Sequence, residues 1–530
     1  MPISRKATWK VSFAVMASRV LGLVREMIFA ACFGGSKWMD CFYLAFKVPN
    51  LLRDLFAEGA LSQAFVTTFT KQLKTNGDRS AWQLASKMLT LAAVFMSGIC
   101  VIGMIAAPWI VEALTFLARH TDRKYDPEQV AFIITLVRIM FPFILLLSLS
   151  ALVMGMLNAK NVFGIPALSS CFFNLGCIIG GTGLGWWMDP EWGPRSLIGF
   201  SIGVLMGGLA QLSCQFPALI GVGYRWHADF QWRDSRVHKV IKLMIPAVIA
   251  ASVVQVNVMV NAIFAYGVGE GAVSWLSYAF RLMQLPIGVF GVAVATVTLP
   301  AFSRAATDGI TNEFKSILQK GLGLVAFLVL PSTLMLVMLA EPIVSVLYER
   351  GNFDSQDRQM TAIALRAYGL GLLCYAWIKV IQPSFYAIDR RWVPMLVSLG
   401  SIGINIGLNY HFVFNLGWGH EALALTTSVV ASVNFVVLFI TMRVLAGDFG
   451  TTSLLSVLLR LLIAGALLAT ICHFGNALLF ADPGALPILQ RLGSLILVCG
   501  LAATGYLIAC HLLRVGEVRE AVKMIASKLK

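Results

Sequence analysis

The sequence predicts an all-α, polytopic membrane protein with about fourteen transmembrane helices. Two six-helix lobes, related as parallel repeats, surround a central cavity, and two extra helices follow at the carboxyl end. Three observations carry this expectation. Apolar stretches of about 20 residues recur from end to end, the length a helix needs to cross a hydrocarbon core, and no alternating ten-residue pattern suggests a barrel. Of the 530 residues, 58% are hydrophobic and only 13% charged, with a mean hydropathy of +0.79, where an ordinary soluble domain carries about a quarter charged residues. An internal repeat is also visible. Ala45-Phe46-Lys47 and Phe56 return as Ala279-Phe280-Arg281 and Phe290 at a constant offset of 234 positions, which Pro108 and Pro342 keep. Arg138 and Arg366, and Pro166 and Pro394, are each 228 apart, as one short deletion would give.

Taken in order, the apolar periods place spans near 11–33, 41–69, 86–111, 131–157, 162–187, 196–221, 240–266, 273–300, 319–340, 361–386, 392–414, 421–442, 454–479 and 491–513. The first is read as retained, since its apolar run is long, holds internal charge and lacks a small-residue cleavage site. Six spans per half is an even number, so the second half enters the membrane in the same direction as the first. This sets the expected organisation: an amino-terminal lobe over 1–225, a second lobe over 226–445, an additional helix pair over 446–513, and a basic tail over 514–530. Gly199, Gly203 and Gly207 in the sixth span, with Gly180, Gly181, Gly183 and Gly185 closing the fifth, are small-residue rows suited to close helix contact.

The net charge of +15 raises nucleic acid as a partner, but the basic residues alternate between loops as the positive-inside rule requires. Lys71, Lys74, Arg79 and Lys87, then Arg225, Arg233, Arg236, Lys239 and Lys242, fall on one side with the two termini, which are assigned to the cytoplasm. The opposite loops hold Asp189, Glu191, Glu270, Glu341, Glu349, Asp354 and Asp357. No groove-reading motif accompanies the charge, so nucleic acid is not expected. The ten cysteines lack C-x-x-C spacing and the seven histidines lack ligand spacing, so no metal and no cofactor are expected. Neither a nucleophile elbow nor a P-loop is present, and an enzyme is not expected.

What stands out is charge inside the spans. A charged side chain near the bilayer centre costs at least roughly 2.5–3.5 kcal/mol, so a chain that keeps several must house them in a watered or paired interior. Arg19, Arg25, Glu26, Lys47, Arg53, Asp54 and Glu58 lie in the first two spans and Arg281 in the eighth. At 100° per residue Arg19 and Glu26 share a face, as do Lys47, Asp54 and Glu58, and Pro49-Asn50 is expected to interrupt the second helix before Arg53. Guanidinium is permanently charged and pairs bidentately with phosphate or carboxylate, so Arg19, Arg25, Arg53 and Arg281 suit a planar, multiply charged oxygen ligand such as a diphosphate. The competing reading has these arginines fastening helices together through Glu26, Asp54 and Glu58. Asp40, Glu58 or the membrane potential are candidates for coupling to an ion, and the sequence does not choose among them.

The segments Ser18-Arg19-Val20-Leu21-Gly22-Leu23-Val24-Arg25-Glu26 and Pro49-Asn50-Leu51-Leu52-Arg53-Asp54-Leu55-Phe56-Ala57-Glu58-Gly59 closely resemble the MurJ (MviN) family of lipid II flippases. Arg281-Leu282-Met283-Gln284-Leu285-Pro286 and Tyr348-Glu349-Arg350-Gly351-Asn352-Phe353 extend the likeness over almost the whole length. The resemblance implies the fold of the multidrug/oligosaccharidyl-lipid/polysaccharide exporter superfamily, with the last two helices forming a groove for a polyprenyl tail. It implies transport of lipid II, the undecaprenyl-diphosphate-linked disaccharide-pentapeptide, across a bacterial cytoplasmic membrane by alternating access. Membrane lipids and proteins of cell-wall synthesis are the other partners it suggests. A cation-coupled exporter of drugs or other lipid-linked sugars is the alternative within the superfamily. By the same resemblance Arg19, Arg25, Arg53 and Arg281 bind substrate, while Asp40, Glu58, Glu26 and Gln284 serve gating or conformational pairing. The chain departs from the family pattern at Gln284, Asp54 and Phe280, which puts any mechanism needing a carboxylate beside Arg281 in doubt.

Overall fold

A computed structural model describes residues 5–55, 61–119, 126–291, 294, 298, 301–302, 304–306, 309–480, 484 and 486–518; for 5–12, 63, 247, 249–251 and 253–254 it describes the backbone alone. The chain divides into two compact units, Met1–Ser274 and Trp275–Lys530, and among the described residues neither contains a strand.

In the first unit, helix α1 (Arg5–Phe33) stops where Gly34 takes φ +57°, a left-handed conformation that costs glycine nothing. Ser36 then caps α2 (Lys37–Arg53), its hydroxyl accepting from Met39 N at 3.3 Å. The interruption expected at Pro49-Asn50 is absent. α2 runs through Pro49 to Arg53, and α geometry gives way only afterwards, in a π turn at Asp54–Leu55. A proline removes one backbone donor and crowds the carbonyl one turn back, and a helix packed against its neighbours tolerates that local loss. The second expected span is thus α2 plus the beginning of α3 (Ser62–Leu114), a long element bent at Gly77 (φ 76°) that also carries the third span. After α4 (Phe116–Arg119), Asp126 caps α5 (Pro127–Met140), and Pro142 separates it from α6 (Phe143–Ala159). α7 (Gly164–Met188), α8 (Pro194–Ser213) and α9 (Phe216–Gly221) lead to α10 (Ser235–Val268), and α11 (Ala272–Pro286) begins in this unit.

The glycine rows of α7 and α8 face each other with no room to spare. A Cβ on Gly199 would stand 2.4 Å from Gly185 N, and one on Gly203 2.4 Å from Gly181 N. The obstacle at both places is backbone, which cannot swing aside.

A second packing centre joins α3, α6 and the start of α10 around Phe65, Phe69, Leu84, Leu152, Met156, Val237 and Val240. Segment 222–234, between α9 and α10, is fastened to α3 by polar contacts. Lys87 Nζ donates to Asp234 Oδ2 at 2.5 Å and to Gln231 Oε1 at 2.9 Å; Ser86 bonds Tyr224 and His227; Asp229 N donates to Thr90 Oγ1. Asp234 also caps α10 and takes the Arg236 guanidinium at 2.6 Å. Hydrogen bonding from Arg236, with Lys87 behind it and burial opposing, holds the Asp234 carboxyl well below the usual carboxylate range. A depressed carboxylate stabilises only while ionised. Its contribution is therefore complete above about pH 5 and is lost as pH falls through the carboxylate range toward the folded value. Amide exchange across 224–234 should accordingly be unchanged from pH 7 to pH 5, after correction for intrinsic rates, and lose protection below about pH 4. In Asp234→Asn the loop should lack that protection already at pH 7.

The second unit holds the rest of α11, a π turn at Ile287–Gly291, α12 (Asn312–Met338), α13 (Ala340–Tyr348), α14 (Ser355–Ala387), α15 (Trp392–Tyr410), α16 (His420–Ala446), α17 (Thr451–Leu479) and α18 (Ile488–Leu512). α14 packs between α12 and α16; α17 and α18 pair with each other and lean on α12 and α13. Tyr506 donates to Phe327 O at 3.0 Å, and Arg491, at the start of α18, pairs with Glu349 at 2.9 Å, which also takes Arg358 at 2.5 Å.

Among the described residues, ten helical stretches are long and apolar enough to cross a membrane, namely the third to sixth and the ninth to fourteenth spans of the sequence. The other four are α1, α2, α10 and α11. α1 holds Arg19, Arg25 and Glu26, α2 holds Lys47 and Arg53, α11 holds Arg281, and α10 is apolar over Gln255–Val268. They are the first and second helices of each half of the repeat. The π turns keep the same correspondence, because Asp54–Leu55 shifted by the repeat offset of 234 falls within Ile287–Gly291.

Candidate charged site within the spans

α1 lies along α7, with Asn174 Nδ2 donating to Ser18 O at 3.2 Å and Cys171 Sγ to Ala14 O at 3.5 Å. This pairing turns Arg25 inward. It is 7% exposed, its guanidinium carbon 5.7 Å from the ring centres of both Phe29 and Phe173. Arg25 Nη2 donates to Glu26 Oε1 at 2.7 Å, and the second Glu26 oxygen accepts from Tyr43 OH at 2.6 Å, a link between α1 and α2. Arg25 Nε is buried with no hydrogen-bond partner among the described residues. A planar fork bonded to Glu26 through Nη2 and with its Nε–H unspent, walled by aromatic faces, still has hydrogen-bonding capacity for an oxyanion.

Arg53 ends α2 half-buried, with Nε at 3.0 Å and Nη2 at 2.6 Å from Asp54 Oδ1. Asp54 Oδ2 accepts from Gln255 Nε2 of α10 at 3.2 Å. Both ion pairs join sequence neighbours, Arg25 to Glu26 and Arg53 to Asp54. The carboxylates in turn reach a second helix, Glu26 through Tyr43 and Asp54 through Gln255. Neighbouring carboxylates offset the arginine charge without requiring a second helix to stay in place.

Arg19, also on α1, is half-buried and makes no ion pair among the described residues. Lys47 is half-buried on α2. Glu58 lies outside the described residues. Arg281 sits half-buried on α11 in the second unit, with Gln284 exposed one turn on and Phe280 edge-on to Tyr368 at 5.5 Å. The first unit thus assembles Arg25, Glu26 and Tyr43 at one place and Arg53, Asp54 and Gln255 at another.

Asp40 is fully buried in the first turn of α2. Its carboxylate accepts from Gly271 N at 2.7 Å, Ser274 N at 2.8 Å and Ser274 Oγ at 2.7 Å, capping the start of α11. Unpaired N–H groups at a helix start carry partial positive charge, which stabilises the carboxylate there. The repeat offset from Asp40 leads to Ser274 itself, so equivalent positions of α2 and α11 meet. Asp40→Asn turns an amide donor toward those N–H groups. It should lower the melting temperature in detergent, since each hydrogen bond to a charged group contributes roughly 1.5–3 kcal/mol, and Asp40→Ala should lower it further. An unshifted melt for both would contradict the cap.

Tyr43, Gln255 and Ser274 were not singled out in the sequence. Only Ser274 had a signal available there, as the repeat partner of Asp40.

Comparison with known proteins agrees with this architecture. Residues 29–487 match the family described as "Lipid II flippase MurJ". A protein of Burkholderia cenocepacia named "Lipid II flippase MurJ" is 35% identical over 442 residues, 83% of each chain, and a "Probable lipid II flippase MurJ" of Buchnera aphidicola is 33% identical over 428 residues, 81% of each. A solved structure described as "Lipid II flippase MurJ, inward closed conformation" superposes with TM-score 0.74 at 25% identity, covering 93% of this chain and 98% of that one. An inward-facing multidrug resistance MATE transporter shares the fold alone, with TM-score 0.69 at 15% identity over 84% of this chain and 99% of that one. With its match spanning most of its length, and relatives at one-third identity over four-fifths of it, the chain belongs to the lipid II flippase MurJ family.

Proposed function

We propose that this protein carries lipid II from the inner to the outer leaflet of the bacterial cytoplasmic membrane, with both termini in the cytoplasm, and that Arg19, Arg25, Arg53 and Arg281 receive the diphosphate and its sugar-peptide. The observation that carries the reading is Arg25: an arginine buried within a membrane span of a flippase-family chain, retaining an unspent donor. Two lobes, 1–225 and 226–445, rock about the substrate in alternating access, while α17 and α18 hold the polyprenyl tail in the 446–513 pair. The headgroup exchanges hydration for guanidinium contacts, and no bond is made or broken. Glu26 and Asp54 hold Arg25 and Arg53 until the diphosphate displaces them, and Asp40, with its hold on α11, and Glu58 serve the conformational change. The diphosphate's guanidinium contacts must outweigh the cost of leaving each displaced carboxylate without its partner. An ion gradient or the membrane potential drives the cycle, a unit charge crossing 100 mV being worth about 2.3 kcal/mol.

The test is lipid II binding to the purified protein, with outward exposure of lipid II in cells dependent on it. Alanine at Arg19, Arg25, Arg53 or Arg281 should weaken both. Four variants with normal growth, unchanged exposure and unchanged binding would refute the assigned site. Resistance to cationic drugs on overexpression, with no effect on lipid II, would favour an exporter instead.

A further inference from the structure

Segment 222–242 has work left over once its internal contacts are satisfied. Both of its carboxylates are turned inward: Asp234 bonds Lys87 and Arg236, and Asp229 lies 3.9 Å from Lys87 Nζ. Arg225, Arg233, Lys239 and Lys242 are all exposed, and none has a carboxylate partner among the described residues. The same stretch exposes three large aromatic rings, Trp226 at 61%, Phe230 at 62% and Trp232 at 58%, with the Arg233 guanidinium 5.0 Å above the Trp232 ring. Water does not favour such exposure, and a loop free to move would fold these rings away. This one is held open, because Tyr224 is buried in the packing centre below and Ser86, Lys87 and Thr90 fasten its backbone and polar groups.

The setting decides the occupant. The segment joins the end of the sixth span to the start of α10, whose first turns expose Ile241, Leu243 and Ile245 beside Lys239 and Lys242. An apolar helix face that runs directly into tryptophans and basic side chains is the pattern of a membrane–water boundary, where indoles sit at headgroup depth and Lys or Arg meets phosphate.

We infer that segment 222–242 is an interfacial dock for anionic phospholipid headgroups, with Trp226, Phe230 and Trp232 seated among the acyl-chain ends and Arg225, Arg233, Lys239 and Lys242 gathering phosphate. The dock is rigid because Lys87 consumes the segment's own acids, so the outward charge is wholly positive. Lys87 is thus a positioning residue for a lipid contact it does not itself make. The inference is independent of the transported substrate.

The experiment uses the full-length protein in nanodiscs of equal parts phosphatidylcholine and phosphatidylglycerol, with bromine on the acyl chains of one lipid or the other. The fluorescence lost in Trp226→Phe/Trp232→Phe relative to the unaltered protein isolates these two indoles. Their emission should be quenched roughly twofold more by brominated phosphatidylglycerol than by brominated phosphatidylcholine, a preference that high salt erases. Arg225→Gln/Arg233→Gln/Lys239→Gln/Lys242→Gln should lose the preference while keeping the quenching. Because salt acts on the unaltered protein, a variant that misfolds leaves the test intact. Equal quenching by the two lipids would overturn the anionic preference, and no quenching by either would overturn the dock.

Discussion

Replacing Arg25 by methionine is expected to reduce lipid II translocation by roughly a hundredfold or more and to destabilise the protein at the same time. The two effects have separable causes. Glu26 is 3% exposed and loses its guanidinium partner once the 2.7 Å pair is gone; leaving one member of a buried pair uncompensated costs about 3–5 kcal/mol. Translocation suffers for another reason. A guanidinium offers a diphosphate two charge-assisted hydrogen bonds, each contributing roughly 1.5–3 kcal/mol, and every 1.4 kcal/mol is a factor of ten. The double variant Arg25→Met/Glu26→Gln removes the stranded charge and should recover much of the melting temperature while transport stays lost. Thermal melting of purified protein, alongside outward exposure of lipid II, reads both quantities. Recovery of transport together with stability in the double variant would show that Arg25 serves the fold and not the substrate. Arg25→Lys should fold and transport poorly, since an ammonium cannot reproduce the planar fork between Phe29 and Phe173.

Gly203→Leu is expected to prevent α7 and α8 from packing and to abolish recovery of monodisperse protein from the membrane. Its first added atom would lie 2.4 Å from the backbone nitrogen of Gly181, well inside contact distance, and the rest of the side chain has nowhere to go. Overpacking a core costs typically 1–3 kcal/mol when side chains can shift; here helix axes must separate, so the cost should exceed about 3 kcal/mol. Gly203→Ala should already lower the melting temperature. Gly183, on the same helix but with nothing within 4 Å of its would-be Cβ, supplies the control, and alanine there should leave stability unchanged or raise it by up to about 1 kcal/mol. Comparable losses at Gly183 and Gly203 would mean that helix propensity, not contact, governs the pair.

Some of this architecture was legible residue by residue. Gly199, Gly203 and Gly207 recur every fourth position on an apolar helix, and one face of small residues admits one kind of neighbour, another backbone. Arg19, Arg25, Arg53 and Arg281 stood out because hydrocarbon makes each costly, so their retention signals use. Other features were not legible. Pro49 looked like the break in α2, yet the helix absorbs it and yields after Arg53, because a single missing donor is cheaper than exposing further backbone in an apolar setting. Arg25 and Arg53 pair with the residues immediately following them, whereas a helical wheel separates consecutive residues by 100° and directs attention to i+3, i+4 and i+7. Long side chains cross that angle; Cβ directions do not reveal it.

The sequence alone therefore determined that the chain is a multi-pass helical membrane protein built with a repeat and that its intramembrane charge is concentrated in the first two spans, with Arg281 in the eighth. Hydropathy, periodicity and the cost of charge in lipid are properties of short windows, and they do not depend on what the window packs against. Only the tertiary structure decided where that charge goes: that Glu26 is shared between Arg25 and Tyr43, that Asp40 closes on the start of α11 some 231–234 positions away, and that Lys87 takes the acids of a distant loop and leaves its basic side chains facing out. Such partners are chosen by distance in space, and a buried polar group accepts whichever neighbour the fold brings within about 3 Å.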